Sequence, residues 1–579
     1  MKRTLFLLFC LGFGRMVSPA QNGHSNHEKV FIRTDKTFYL VGETIWFKAW
    51  CVDSETHAPS SISTVLYAEL INASGEAVVQ EKIMLENGMG SGQFFISGEI
   101  AGGGYFLRSY TSWMRNFSPA EFYIQPLTIL QPLSPAGDLP LYLSRSKEET
   151  ARRKAELKID LKPQYGNREK VTLAFTAPSG IPQEAVQNLS VSVYKYPGKT
   201  LVSDNKGLQQ VSEEQTIKPA KPVTATSVVY IPELRSPVIQ GKIMPRGNAV
   251  VPDFIHLIFP GSSSFFYTAR PDSNRQFAVE VSPEIRTTDL LLWSEEVDIS
   301  QFDIEIIPSF SAAPVENKYS AERGNEKFIP FFESLSVNTQ VANAYLPFSN
   351  VRGVAGESVY PPASFFGQGD ISYNLDDYIR FPTMEEVFIE YVRYVIKKKK
   401  KDSGEKFYLW DLYINSISIS NTIYFPNPAL TLIDGVPVGD LETIWNFDPL
   451  KISRIDMVNR KYYSGEKAFD GIICFHTYKG DLAGEKIPAD VVQKTYKPIQ
   501  TARTFFSPDY DLEEWKNSRI PDYRSLLYWN PGVSMYEGRG DCTFFTGDDT
   551  GSYRVEVTGF LPDGTFVSGA TEFTVTGER

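Results

Sequence analysis

The chain has 579 residues, 42% hydrophobic and 22% charged, with a formal net charge of −11. That apolar share excludes a disordered acidic tail and can fill several cores, roughly three to five domains at this length. A balance of 58 basic to 69 acidic residues excludes the electrostatic footprint of a nucleic-acid binder, and five histidines leave little for metal or acid–base chemistry. Aromatic residues reach 13%, which favours strands and interfaces over solvated helices.

The opening residues have the pattern of an export signal. Met1-Lys2-Arg3 is a positive start, Thr4 to Phe13 is apolar, and Ser18-Pro19-Ala20 offers the small residues a signal peptidase reads. A signal peptide is predicted over 1–20, with cleavage after Ala20. Cys10 follows Leu8-Phe9 and lies too early for a lipoprotein anchor. No later segment approaches the roughly 20 apolar residues of a membrane helix, so no transmembrane span is expected. Cys51, Cys474 and Cys542 are odd in number and far apart, which predicts buried thiols and no disulfide framework.

Residues 28–130 have the pattern of a β-sandwich. Val30-Phe31-Ile32 opens it, and Thr44-Ile45-Trp46-Phe47-Lys48-Ala49-Trp50 is an aromatic, β-branched run. Alternation places Trp46 and Trp50 on one face and Phe47 on the other, with one face expected to be core. Val30 through Lys36, Tyr39, Gly42-Glu43 and Gly104-Tyr105 resemble the second-type macroglobulin domain, an immunoglobulin-like sandwich of the alpha-2-macroglobulin family; Val41 stands where that pattern has proline. The family's thioester trap needs a Cys-Gly-Glu-Gln segment. Glu213-Glu214-Gln215 has no cysteine beside it, which excludes covalent trapping.

Prolines 126, 132, 135 and 140 punctuate a linker. Alternation in Leu157–Leu161, Val171–Phe175 and Leu189–Val193 predicts a second sandwich over 151–230. A third β unit, 231–310, resembles the noncatalytic, transthyretin-like carboxypeptidase regulatory fold, although Asp272-Ser273-Asn274-Arg275-Gln276-Phe277 replaces its Asp-x-x-Gly-x-Phe turn. Residues 311–375 are rich in Pro, Gly and Asn and are expected to connect.

Met384, Val387, Phe388 and Tyr391 keep helical spacing, and Thr383 with Glu386 makes a capping box. Val392–Lys400 is compatible with strand or continued helix. Ala429–Ile433, the Asp434-Gly435 hairpin dipeptide and Val436-Pro437-Val438 follow, then a short helix near Asp440–Phe447 and strands at Ile452–Val458 and Gly471–Thr477. Leu430 through Pro437, and Tyr463-Ser464-Gly465-Glu466 through Gly480, resemble the plug domain of TonB-dependent outer-membrane receptors, covering 376–482. The resemblance favours helix over Met384–Tyr391 and strand over Val392–Lys400. It also implies a Gram-negative source, with a location in the periplasm or peripheral at the outer membrane. Only 97 residues follow Leu482, too few for a receptor barrel. They are expected to form a C-terminal β region, 483–579.

Catalytic and metal motifs are missing. His24-x-x-His27 lies in the expected new N-terminus, while His57, His256 and His476 are scattered, with His476 read as structural. Asp548-Asp549 has too few oxygen neighbours in sequence for calcium and is expected to be a turn. Asp434 and Gly435 are expected to act as a structural turn. Lys397, Lys398, Lys399, Lys400 and Lys401 could contact an anionic surface, against the simpler reading of a solvated strand end. The expected molecule is mainly β and multidomain: immunoglobulin-like and transthyretin-like sandwiches in a string plus one plug-like α/β module. It is expected to be a nonenzymatic interaction scaffold without cofactors, docking to a protein partner such as an outer-membrane barrel or another envelope protein. The alternative is a noncovalent macroglobulin-like protease-binding protein.

Overall fold

A computed structural model describes residues 27–131, 140–141, 154–178, 186–197, 229–315, 322–323, 328–345, 364–400, 404–413, 424–561 and 564–577. The predicted signal peptide 1–20 and Lys401 lie outside them. The architecture is mainly β, with sandwiches and one mixed α/β module.

In the first sandwich, Thr44–Asp53 is the centre of a three-stranded sheet between Glu28–Thr34 and Met89–Phe95. A five-stranded sheet runs in the order Phe38–Leu40, Tyr123–Leu130, Gly103–Thr111, Val65–Asn72, Ala77–Met84. Between them pack Phe47, Phe94, Leu66 and Leu107. Trp46 and Trp50 lie on the opposite face from Phe47, and that face is buried too. Trp46 packs with Tyr194, Leu526 and Trp529, and Trp50 with Phe560, all from the second sandwich.

The second sandwich revises the expected domain order. Val186–Lys195 pairs with Leu526–Met535 on one side and Gly551–Phe560 on the other. Lys170–Thr176 pairs with Arg539–Phe545. Segments expected as separate units at 151–230 and 483–579 therefore form one sandwich, with about 330 residues inserted between Lys195 and Leu526. The physical reason is burial: Leu173, Val191, Val193, Tyr553, Val555 and Phe573 share one core, and neither half could cover its apolar face alone.

The insert carries the third sandwich and the α/β module. The third sandwich sets Gln276–Glu280, Val238–Pro245 and Phe302–Ile306 against Phe265–Ala269, Ile255–Phe259 and Asp289–Trp293. Val492–Thr495, expected in the C-terminal region, adds to the edge at Asp289–Trp293. Arg275 occupies the glycine position of the 272–277 turn at φ +64°, and Asp272 Oδ1 ties the turn by accepting from Asn274 N and Gln276 N at 2.8 Å each. The sequence departs from the family pattern there, yet the backbone keeps the left-handed residue the turn needs.

Residues 311–375 are more than a connection. Helix Ile329–Tyr345 lays Phe332 and Leu335, with Phe328 just before it, over Phe38, Leu40 and Leu130 of the first sandwich. It covers the face of the edge strand Phe38–Leu40 turned away from the first core. Ile371–Asn374 then begins the sheet of the α/β module, which continues through Ile452–Val458, Ile472–Thr477, Leu430–Ile433 and Val436–Pro437. Helices Met384–Glu390 and Leu441–Trp445 cover one face around Phe475 and Met457. The other face, with Leu432, Ile472 and Cys474, packs on Ile258, Leu291 and Trp293 of the third sandwich. Thr383 caps the first helix as its sequence predicts, its Oγ1 accepting from Glu386 N at 3.3 Å.

From Val491 the chain returns as a strap along all three sandwiches. Ile499 enters the first core, the Gln500 side chain exchanges two hydrogen bonds with the Gln93 backbone (2.9 and 2.7 Å), and Phe505 meets Trp46 edge-on.

Candidate functional site

Asp434 and Gly435 are the two central residues of a hairpin that pairs Ile433 with Val436, at φ +48° and +85°. Positive φ at both centres is the type I′ turn that Asp-Gly favours. The turn lies inside the protein. Asp434 is 1% exposed; its Oδ1 accepts from Thr477 N (2.8 Å), and its Oδ2 from Thr477 Oγ1 (2.6 Å) and Leu482 N (2.9 Å). Its carbonyl accepts from Gly261 N of the third sandwich at 3.0 Å. A Cβ on Gly435 would stand 2.6 Å from Ser264 Cβ. The two residues hold a joint between domains.

The lysine run is divided by strand alternation. Val395–Lys400 pairs with Gly404–Leu409, so successive side chains point to opposite faces. Lys397 lies 3.1 Å from Glu385 and over the Trp445 ring, whereas Lys398 lies 3.4 Å from the centre of the Tyr424 ring and also faces Tyr408. Lys399 is exposed opposite Glu405, and Lys400 ends the strand opposite Gly404. Lys397 and Lys398 are thus drawn to different aromatic neighbours on opposite faces of the strand.

Three polar clusters escape sequence reading because their members come from different strands or different domains. In the first, His256 Nδ1 lies 2.9 Å from Thr268 Oγ1, which donates to Ser464 Oγ at 2.8 Å, and Nε2 lies 2.5 Å from Glu295 Oε2. Burial alone would raise the Glu295 carboxyl, but His256 and Lys467 outweigh it and hold the group at about 2. Hydroxyl, imidazole and carboxylate in a row is the order of an activated nucleophile. Here His256 is 0% and Ser464 7% exposed, and the row ties the third sandwich to the hairpin at Tyr462–Phe469.

In the second, His476 Nε2 lies 2.9 Å from Asp456 Oδ2, off the line of a hydrogen bond. Burial would lower the His476 pKa, but Cys474 and Asp456 raise it above the ordinary imidazole value. In the third, Glu233 accepts from Tyr67 Oη at 2.9 Å and from Val238 N at 3.0 Å beside buried Lys82. Burial lifts the Glu233 carboxyl to about 7 and lowers the Lys82 ammonium to about 8.

The Thr34-Asp35-Lys36…Tyr39…Gly42-Glu43 motif also has a structural job. Asp35 Oδ1 accepts from Tyr39 Oη (2.7 Å) and Trp46 N (2.9 Å), while Oδ2 is buried with no donor in reach. Burial drives the Asp35 carboxyl up to about 7. Lys36 Nζ donates to Glu43 Oε1 (2.6 Å) and to Ser525 Oγ of the second sandwich (2.9 Å), so the motif pins the seam between the first two domains. Asp548 and Asp549 pair with Arg168 and Lys195, at 2.6 and 2.8 Å. Cys51, Cys474 and Cys542 are free and buried. Among the described residues no group of three or more His, Cys, Asp or Glu is placed to hold a metal, and no helix is long and apolar enough to cross a membrane.

One exposed surface has the composition of a contact site. Arg380 Nη2 donates to the carbonyls of Pro449 (3.2 Å) and Ile452 (3.0 Å) and to Tyr478 Oη (3.2 Å), and Tyr478 donates to Asp376 Oδ1 at 2.6 Å. That bond raises the pKa of the Tyr478 phenol. Around this polar centre Tyr378, Ile379, Leu450 and Tyr478 are 40%, 79%, 58% and 56% exposed. Arginine and tyrosine beside aliphatic side chains is the mixture found at interface hot spots. In sequence these residues are more than 70 positions apart at the extremes, so the surface exists only once the module folds.

No protein-family model and no curated protein matches the chain. Among solved structures it is similar to Escherichia coli alpha-2-macroglobulin activated by porcine elastase: 10% identity and a TM-score of 0.24, over 95% of this chain and 44% of that one. Salmonella alpha-2-macroglobulin reacted with methylamine gives 9% identity and a TM-score of 0.25, over 95% and 39%. The native conformation of the E. coli protein gives 10% and 0.24, over 96% and 40%. The chain spans less than half the length of these structures, and a likeness this slight assigns neither family nor activity.

Proposed function

We propose that this chain is a nonenzymatic, exported interaction protein in which the interlocked sandwiches hold the α/β module as the docking element. The observation that carries this reading is the distribution of exposed apolar side chains. Nine of the twenty large ones on the described residues fall within 376–482, including those around Arg380. Clustered apolar exposure on an otherwise well-packed protein marks a contact site. The titratable clusters support the same reading, since the His256 row, Lys82–Glu233 and Lys36–Glu43 are consumed in joints between domains. The signal-like residues 1–20 and the plug-like motifs support export to the periplasm and a partner in the envelope, such as an outer-membrane barrel.

The test is mild crosslinking in cells, with purification from membranes, comparing wild type with Ile379→Asp/Leu450→Asp. A barrel or other envelope protein should be captured by wild type and fall at least about tenfold with the double variant. Capture of proteases would favour the alternative reading as a protease-binding protein, and equal capture by both forms would remove this surface from the proposal.

A further inference from the structure

Two lysine–carboxylate pairs among the described residues are enclosed at both ends, Lys36–Glu43 and Lys195–Asp549, with no side chain more than 14% exposed. They differ in how the carboxylate is used. Both oxygens of Glu43 are engaged, Oε1 by Lys36 Nζ and Ser525 Oγ, and Oε2 by Leu40 N at 2.7 Å. Asp549 offers only Oδ1 to Lys195, at 2.8 Å, and its Oδ2 is buried with no donor among the described residues. An ion pair taken out of water is held well only when its remaining lone pairs are satisfied, and here half of the carboxylate is not.

The surroundings fix this pair in one arrangement. Lys195 ends the strand Val186–Lys195, opposite Tyr553 of Gly551–Phe560. Its backbone N donates to the Ser525 carbonyl at 2.7 Å, and Tyr196 N donates to the Ser552 carbonyl at 3.0 Å. Lys195 Nζ lies 5.1 Å from the centre of the buried Tyr553 ring and also donates to the Thr550 carbonyl. Tyr553 Oη donates to the Asp549 carbonyl at 2.9 Å, which steadies the backbone carrying the carboxyl group. Gly551 makes room for the lysine: a Cβ there would stand 3.0 Å from Lys195 Nζ and 3.3 Å from its Cε. Nitrogen, carboxyl group and an acceptor for the amine N–H are therefore preassembled. Groups so oriented react as if at an effective concentration of up to about 10⁵–10⁸ M.

We propose that Lys195 and Asp549 are a modification site, at which the two side chains condense into an intramolecular amide. One proton passes from Nζ to the Asp549 carboxylate, giving amine and acid, and enclosure favours that uncharged pair more than water does. The Nζ lone pair then attacks Cγ, a second N–H proton passes to the departing hydroxyl, the Cγ–O bond breaks and one water leaves. No oxidant or co-reactant takes part. The Thr550 carbonyl positions the amine and accepts from the N–H that remains in the amide. The bond joins the two halves of the second sandwich across the inserted domains. Its strands then stay tethered when the chain unfolds, the kind of restraint a disulfide closing a long loop supplies. This inference is independent of the docking role of the α/β module.

The test is the mass of the purified full chain under denaturing, reducing conditions. From its determined N-terminus, wild type should be lighter than its sequence by one water. A tryptic digest should contain a branched peptide joining 171–199 to 540–554, uncut at Lys195. Lys195→Arg and Asp549→Ala should each have the mass of their own sequence, with the two segments recovered unjoined. The wild-type readings are taken on unfolded chain, so they decide the matter even if neither variant folds. The proposal is overturned by a wild-type mass equal to its sequence, by tryptic cleavage at Lys195 with the segments unjoined, or by a lost water that maps to another position, such as an Asp-Gly imide.

Discussion

Asp434→Asn separates what the hairpin dipeptide alone implies from what the folded protein imposes. As a turn residue Asn is equivalent to Asp, so sequence reasoning expects a near-neutral change. The structure says otherwise. Both carboxylate oxygens accept, from Thr477 N and Oγ1 and from Leu482 N, at a site 1% exposed. An Asn side chain has only one accepting atom. With its NH₂ in the place of Oδ2, the Thr477 hydroxyl can turn to accept, but Leu482 N then faces another N–H. With the amide flipped, Thr477 N does. Either orientation strands one buried backbone donor, at about 1–3 kcal/mol. Hydrogen exchange followed by mass spectrometry reads this directly. A local loss of about 2 kcal/mol accelerates exchange of the affected amides about 30-fold through local opening. Peptides covering 430–437 and 477–483 should lose protection while the second sandwich keeps its own. Exchange within twofold of wild type in both peptides would refute the account of Asp434 as an obligate double acceptor.

Gly435→Ala should destabilise the same joint by about 2–4 kcal/mol, from left-handed backbone strain plus the clash with Ser264 Cβ. Adding Ser264→Gly should restore the clash component only, which a double-mutant cycle on unfolding midpoints measures. Asp35, lifted from 3.8 to about 7 by burial, favours the fold when protonated, so its contribution is complete below about pH 4 and is lost as pH rises towards 7. Stability should therefore fall over that window, by roughly 4 kcal/mol on this account, and Asp35→Asn should remove that slope when midpoints at pH 5 and 7.5 are compared. Phe47→Ala should cost the first sandwich about 3–5 kcal/mol. Trp46→Ala should chiefly loosen the seam, seen as faster proteolysis around 526–529 with the first sandwich intact.

Features set by neighbouring residues were legible in the sequence. The Asp434-Gly435 turn, the Thr383 cap and the alternation of Trp46, Phe47 and Trp50 all follow from chemistry within a few positions. Partner choice was not. Alternation in Leu189–Val193 marks a strand, but nothing in it names Leu526–Met535 as its neighbour, because β-pairing is indifferent to distance along the chain. Helix Ile329–Tyr345 was obscured by its Ser, Asn and Thr, and it is held through Phe332 and Leu335 by a surface in another domain. One available signal was undervalued: apolar residues at both parities of Ile45–Trp50 already marked a strand buried on both faces. The candidate contact surface was the least legible part, since Arg380, Leu450 and Tyr478 converge only in three dimensions.

The split second sandwich has a consequence for how the molecule is made. Val186–Lys195 and Lys170–Thr176 leave the ribosome without Leu526–Met535, Gly551–Phe560 or Arg539–Phe545 to cover them. At about 5–20 residues per second the missing partners follow roughly twenty seconds to a minute later. Over that interval Leu173, Val191 and Val193 have no native cover, so an unfinished chain carries an adhesive half-domain beside a first sandwich whose Trp46 and Trp50 also await their partners from the C-terminal segment. A holding factor or an unfolded export-competent state suits such a chain better than early folding does. Ribosomes stalled near residue 500 should therefore yield an aggregation-prone product, whereas release of the completed chain should not.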